Sequence, residues 1–344
     1  MNSDWKAFLI DNGAKFSDEQ LISFGDAELA QKAPPHEVML SDLSDFGLIK
    51  VFGEDAESFL QNQLSNDIRN VSDTMHQMSA WCTPKGRIIA TFRIFQRQDS
   101  YYLSVSADLL EHVIKKLRMY VMMSKVTIED ASDALIHFSY SGSKTGEKLQ
   151  KILALSTPIE PNQTLQSKDL SILHISGNID HYEVFGSIND AKDLWNSCKT
   201  EATLSNSNRW YYLNILAGNP HIDQASSESW IPQMVNYIAV DGVDFKKGCY
   251  PGQEVVARLN YLGKTKRRMY HLLINTNTPP AVNDVISSTT DKDAGKILNA
   301  VINSDGKVEA LAVLKIAEAS NGLTLANDDT VAISLLDLPY TLDE

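Results

Sequence analysis

Between Phe46 and Ile128 the hydrophobic repeat switches from every second residue to every third or fourth and back, twice over. Phe46–Phe52 reads as a strand, and Gly53 with Glu54-Asp55 opens a helix whose apolar residues Ala56, Phe59, Leu60 and Leu64 share one face. Strands follow at Met78–Cys82 and Arg87–Phe95, joined by the turn Thr83-Pro84-Lys85-Gly86, and then at Tyr101–Val105. Leu109, Leu110, Val113, Ile114, Leu117, Tyr120 and Val121 recur at helical spacing before Val126–Ile128 closes the unit. This β-α-β-β-β-α-β order is an elaborated split β-α-β arrangement, and the fold class it predicts is α+β.

The next segment repeats the plan. Leu135–Tyr140, Leu170–Ile175 and His181–Gly186 read as strands, and Lys144–Leu155 and Ile188–Cys198 as helices, with Pro158–Ser167 a polar connection. A further helix over about Ser205–Ala217 stops at Gly218-Asn219-Pro220. After Gly263 only short strands remain: Arg268–Ile274, Asp284–Ser288, Gly295–Ile302, Val308–Ile316, Leu323–Leu325 and Thr330–Leu335. Their turn-separated spacing predicts a small antiparallel barrel. Residues 1–35 read as a peripheral segment with a short helix around Trp5–Ile10. The domains expected are then 36–133, 134–262 and 263–344.

Charge narrows the function. The 344-residue chain carries a net charge of −13, which works against a dedicated nucleic-acid binder and predicts no direct DNA binding. The charge is uneven, because Lys246–Arg268 holds seven basic residues against Glu254, a local +6 with −19 elsewhere. Such an island is either a site for a small anion or an exposed basic face. No run approaches the length of a membrane span, and Met1–Lys6 shows no secretory pattern. The three distant cysteines, Cys82, Cys198 and Cys249, suit neither a disulfide framework nor a zinc site, so the expected location is cytoplasmic. The eight histidines form no H-x-x-x-H or H-E-x-x-H pattern, and no metal site is expected. Phosphate-loop and nucleophile-elbow motifs are missing as well.

The stretch richest in chemistry is Asp244–Arg258. Gly248 and Gly252 bracket Cys249, and their lack of a side chain permits positive φ or a close backbone approach to something else. Gln253, Glu254, Val255, Val256 and Leu259 read as the first turns of a helix. A thiol before a helix N-terminus and two residues from a lysine sits where its pKa is lowered, and the same amides and lysines hold anions. The alternative is a small apolar side chain filling a sharp turn. Trp210-Tyr211-Tyr212 is either an aromatic platform for a base or pterin, or the core face of a helix.

Lys247-Gly248-Cys249-Tyr250-x-Gly252-Gln253-Glu254 resembles the signature of the YgfZ family, folate-binding relatives of the glycine-cleavage T-protein. Trp230-Ile231-Pro232-Gln233-x-x-Asn236, Gln61-x-Gln63-x-Ser65-x-Asp67 and Cys82-x-x-Lys85-Gly86-Arg87 are similar to further family motifs, in the right order, and the likeness spans roughly residues 38–340. The resemblance implies two ferredoxin-like α+β halves and a C-terminal barrel around a central cleft holding a tetrahydrofolate-type ligand. It also implies a role in maintaining iron–sulfur enzymes, including those that methylthiolate tRNA. On this likeness the ligand-binding candidates are Trp230, Gln233, Lys247, Gly248, Tyr250, Gly252, Gln253, Glu254 and Arg258, with Cys249 as the candidate catalytic residue.

The chain departs from its relatives in two places. The run Gly86–Arg93 has no acid where the aminomethyltransferases need an aspartate, which works against the alternative function, folate-dependent aminomethyl transfer. Asn214 and Leu216 stand where the family commonly has arginine and glutamate, and leucine cannot accept a hydrogen bond from a pterin. A plain interaction protein is the third possibility.

Overall fold

A computed structural model describes residues 1–342 apart from Glu19 and Asp26, and only the backbone of Ala27 and Glu28. The last two positions of the 263–344 segment lie outside the described residues. In chain order the elements are α1 (Ser3–Asp11), β1 (Ala14–Ser17), β2 (Gln20–Phe24), α2 (Ala27–Gln31), β3 (Met39–Asp42), β4 (Phe46–Phe52), α3 (Ala56–Gln63), β5 (Gln77–Cys82), β6 (Ile88–Arg97), β7 (Ser100–Ser106), α4 (Ala107–Val121) and β8 (Thr127–Asp130). They continue with β9 (Ile136–Ser141), α5 (Thr145–Ile152), β10 (Thr164–Ser167), β11 (Leu170–Ile175), β12 (His181–Gly186), α6 (Ile188–Cys198), β13 (Thr203–Ser205), α7 (Asn208–Leu216) and α8 (Gln253–Leu262). Six strands finish the chain: β14 (Arg267–Ile274), β15 (Val285–Ser287), β16 (Gly295–Ile302), β17 (Val308–Lys315), β18 (Leu323–Leu325) and β19 (Asp328–Leu336). The mixed α+β class expected from the sequence is what the chain adopts. Among the described residues no helix is long and apolar enough to cross a membrane.

The chain forms two compact units that interleave along the sequence. The first takes Met1–Phe59, Arg69–Gln77 and Arg93–Leu213. Its main sheet has the order β10-β11-β12-β9-β3-β13, antiparallel except where β13 runs parallel to β3. All six residues of β12 are buried, so this strand is covered on both faces. Alternation sends Tyr182 and Val184 to a core built with Phe138, Leu194, Trp195, Leu9 and Trp5, while Phe185 meets Leu48, Phe95 and Tyr102 on the other side. Each fully buried side chain of this kind contributes about 1.5–3 kcal/mol. Helix α4 buries Leu109, Val113, Ile114 and Leu117 of the stripe that its spacing predicted, whereas Tyr120 near its end is exposed.

The second unit takes Leu60–Ile68, Met78–Phe92 and the chain from Asn214 onward. Its barrel is closed in the order β14-β17-β16-β15-β18-β19, as the run of short strands predicted. Leu272, Ile274, Ile297, Val308, Ala310 and Leu314 belong to its core. The same unit holds β5, the first half of β6, and the irregular stretch that leads into α8.

Three local expectations need correction. Residues 1–35 are not peripheral throughout: Trp5 and Leu9 are fully buried, with the Trp5 ring 5.3 Å from Trp195 and its Nε1–H donated to Asp42 at 2.7 Å. The polar connection 158–167 contains β10, because Thr164–Ser167 pairs with β11. The helix expected from Ser205 begins at Asn208, since Thr203–Ser205 is taken up as β13.

Candidate functional site

The signature loop lies in the second unit, and so do the other three motifs. Gly252 precedes α8 with φ +82°, and a Cβ there would lie 2.4 Å from the Thr83 carbonyl oxygen and 2.7 Å from the Gly86 Cα. Gly86 also has positive φ, +73°, and faces Val255. Two glycine backbones therefore meet face to face, which joins the Thr83–Gly86 turn to the start of α8. Arg87 donates from Nη1 to the Ser229 carbonyl at 2.6 Å, and the Ile88 N–H donates to the Trp230 carbonyl at 2.8 Å.

Lys247 is 5% exposed, and its ammonium donates to the carbonyls of Gln61 (2.6 Å), Asn66 (3.2 Å) and Leu64. A cation at the end of α3 satisfies carbonyls that the helix itself leaves open and complements the helix dipole. The same ammonium stands 5.2 Å from the Tyr250 ring centroid. Asn66 donates to the Met78 carbonyl at 2.9 Å and the Asp241 carbonyl at 2.6 Å. Ser65 donates to the Gly242 carbonyl at 2.7 Å and accepts from the Ala80 N–H at 2.8 Å. Lys247 and the Gln61–Asp67 motif are thus the frame of the loop. Carbonyls of Gln61, Leu64 and Asn66 take protons of the Lys247 ammonium.

Four buried polar atoms at motif positions have no hydrogen-bond partner: Gln63 Oε1, Trp230 Nε1, Gln233 Oε1 and the Tyr250 hydroxyl. Trp230 and Tyr250 are each 6% exposed, and Gln233 uses its Nε2 on the Val256 carbonyl at 2.6 Å. Burial pushes the Tyr250 phenol up, which keeps it a donor. The set offers two donors and two acceptors, and each left unpaired costs about 1–3 kcal/mol. In contrast Gly248, Cys249, Glu254 and Arg258 are exposed, and Gln253 is half-buried. A Cβ on Gly248 would meet nothing within 4 Å, and its φ lies outside the left-handed range, so nothing inside the protein requires glycine there. Burial pushes the thiols of Cys82 and Cys198 up to about 12, and Cys249 alone among the three cysteines is exposed.

Asn214 closes the turn after α7, accepting at its carbonyl from the Asn219 N–H at 2.8 Å and at its side chain from Asn219 Nδ2 at 3.3 Å. Of the basic island, Lys246, Arg258, Lys264 and Lys266 are exposed, whereas Arg267 reaches Asp293 at 3.5 Å.

The sequence reading missed a second charged centre, in the first unit. Glu183 is 1% exposed on β12 and accepts from Trp210 Nε1 at 2.8 Å. It lies 3.4 Å from Arg93 Nε and 3.2 Å from His137 Nε2. Burial opposes its ionisation, but the His137 hydrogen bond and the Arg93 charge outweigh it and hold the carboxyl well below the usual range. Trp210 also packs on Phe46, with the ring centroids 4.6 Å apart and the planes tilted by 55°. The suspected aromatic platform is therefore packed, with its indole N–H engaged. A carboxylate inside the apolar run His181–Gly186 was the available signal. Among the described residues no three His, Cys, Asp or Glu side chains converge as metal ligands would.

Residues 15–179 match the family model described as the GCVT N-terminal domain. The chain is 30% identical over 308 residues to the tRNA-modifying protein YgfZ of Enterobacter sp. (strain 638), covering 89% of this chain and 94% of that one. It is 31% identical over 309 residues to the protein of the same name from Yersinia pestis (strain Pestoides F), covering 89% and 93%. The glycine cleavage system aminomethyltransferase T of Bartonella henselae shares the fold, with a TM-score of 0.78, 14% identity and coverage of 98% and 97%.

Proposed function

The chain belongs to the YgfZ family of tRNA-modifying proteins, and from that premise we propose that it binds a reduced folate in the cytoplasm and supports tRNA methylthiolation by maintaining the iron–sulfur enzymes that perform it. The observation that carries this reading is the set of unpartnered atoms on Gln63, Trp230, Gln233 and Tyr250, gathered from three of the four motifs within one unit. A pterin presents donors and acceptors along one edge, and two donors with two acceptors fit that need. The glutamate tail needs cations, and Arg258 and Lys264 stand exposed on and just beyond α8. When bound, a reduced folate supplies a carrier for one-carbon units. Gly248 and Cys249 present an exposed backbone and thiol on a loop that Lys247 holds in place.

Aminomethyl transfer is the weaker reading, because Gly86–Arg93 offers no carboxyl; its Thr91 hydroxyl accepts the Ile222 N–H at 3.3 Å. Equilibrium titration with mono- and polyglutamyl tetrahydrofolate tests the proposal. Arg258→Glu with Lys264→Glu should weaken the polyglutamyl form more than the monoglutamyl form, and equal losses would remove the tail from this face. Cys249→Ser should lower tRNA methylthiolation in cells lacking the native protein without lowering the melting temperature. Undiminished modification would reduce Cys249 to a turn residue.

A further inference from the structure

We propose that the outer face of α8 and its flanking loops is an RNA-binding patch. Lys85, Lys246, Lys264 and Lys266 would contact phosphates there, and Tyr261 would stack on an unpaired base. Tyr261 is 67% exposed and Leu262 is 84% exposed at the end of the helix, an unusual surplus of bare apolar surface. The Phe245 ring meets Tyr261 edge-on at 5.7 Å, and the exposed Lys246 follows Phe245 in the chain. At the other end Val255 lies against Gly86, so the exposed Lys85 of that turn flanks the first turn of α8. A ten-residue helix spans about 15 Å, long enough for several nucleotides.

Although the chain is −13 overall, fields are screened beyond about 8 Å at physiological salt, so the +6 stretch dominates locally. Cations interleaved with an exposed aromatic are what single-stranded RNA needs. Carboxylates on a folate tail or an acidic protein would use the cations alone. The inference goes beyond the folate reading and shares only Lys264 with it.

The test is fluorescence anisotropy with a labelled 20-nucleotide oligouridylate between 50 and 300 mM KCl, beside a polyglutamate peptide as acidic probe. RNA binding should weaken with salt at a log–log slope of about −0.7 for each phosphate neutralised. Tyr261→Ala should weaken it about tenfold with the slope unchanged, and Tyr261→Phe should restore it. Lys246→Glu with Lys266→Glu should make the slope shallower by about 1.4. Full affinity in Tyr261→Ala, or no binding at 50 mM salt, overturns the proposal. So does a peptide that binds as tightly as the RNA, which would assign the face to an acidic protein. Monoglutamyl folate titrated on the same samples bears on the folate reading only.

Discussion

Each unit buries a charged group at its centre, Glu183 in the first and Lys247 in the second, and these two are neutralised in opposite ways. In the first, Glu183 faces the side chains of Arg93, His137 and Trp210 across a sheet covered on both sides. In the second, Lys247 is held by the backbone carbonyls of Gln61, Leu64 and Asn66. A charge balanced by side chains ties strands and helices together but commits the groups that could act on a ligand. A charge balanced by backbone fixes the course of a loop and leaves the side chains beside it, Cys249 and the unpartnered Gln63, Trp230, Gln233 and Tyr250, available for chemistry. The difference suggests that the first centre is fold hardware and the second a working site.

The largest expected effect breaks the first centre. Glu183→Leu leaves the buried Arg93 cation unopposed and should destabilise by about 4 kcal/mol in urea unfolding. Glu183→Gln should bind folate as the parent does. Loss of folate affinity in that variant, with the fold intact, would reverse the roles assigned to the two centres. Next comes Lys247→Met, which abandons three carbonyls but also removes a buried charge, for a net loss of about 2–3 kcal/mol. If its loss matched that of Glu183→Leu, backbone neutralisation would be no gentler than the ion-pair kind.

The two centres also differ in how far the sequence revealed them. The signature, its helix from Gln253 and the strands Phe46–Phe52, Leu170–Ile175, His181–Gly186 and Gly295–Ile302 were legible because each depends on local period or turn chemistry. Strand β13 was hidden because three residues carry no period, and its parallel partner lies about 160 positions away. Trp5 looked peripheral since its partners, Asp42 and Trp195, are remote in sequence. Glu183 was passed over because one acid in an apolar strand reads as an edge residue until both faces are seen to be covered. The carbonyl partners of Lys247 were hidden for a related reason: no local pattern announces which groups a buried lysine will meet.

Acid should separate the units further. Burial holds His76 and His181 neutral with pKa values pushed down to about 3, and both belong to the first unit. Unfolding frees them to take up protons below about pH 6.5, so the stability they contribute is complete above that pH and is lost as pH falls. Asp42, raised to about 6 by burial, acts in the opposite sense: its native form keeps a proton that the unfolded chain gives up above pH 4. Asp45, likewise raised by burial, acts in the same sense as Asp42, so between about pH 6 and 4 the two histidines work against both carboxyls. Asp42→Asn removes one of the opposing protons and should steepen the loss of stability with falling pH in a melting series. An unchanged slope would mean that the first unit is not the acid-sensitive one.

The smallest effect on stability is the sharpest test of the loop. Gly252 and Gly248 sit four apart in one signature, yet only Gly252 has a positive φ and a backbone contact that a methyl group would violate. Gly252→Ala should therefore cost more than about 1 kcal/mol, while Gly248→Ala should fall within about 0.5 kcal/mol of the parent or stabilise slightly by restricting the unfolded chain. Since nothing inside the protein demands glycine at 248, its presence is explained if a ligand approaches the backbone there. Gly248→Ala should then weaken reduced-folate binding at an unchanged melting temperature. Unaltered affinity in a protein of unaltered stability would leave Gly248 without a role in the site and would move the folate away from the exposed side of the loop.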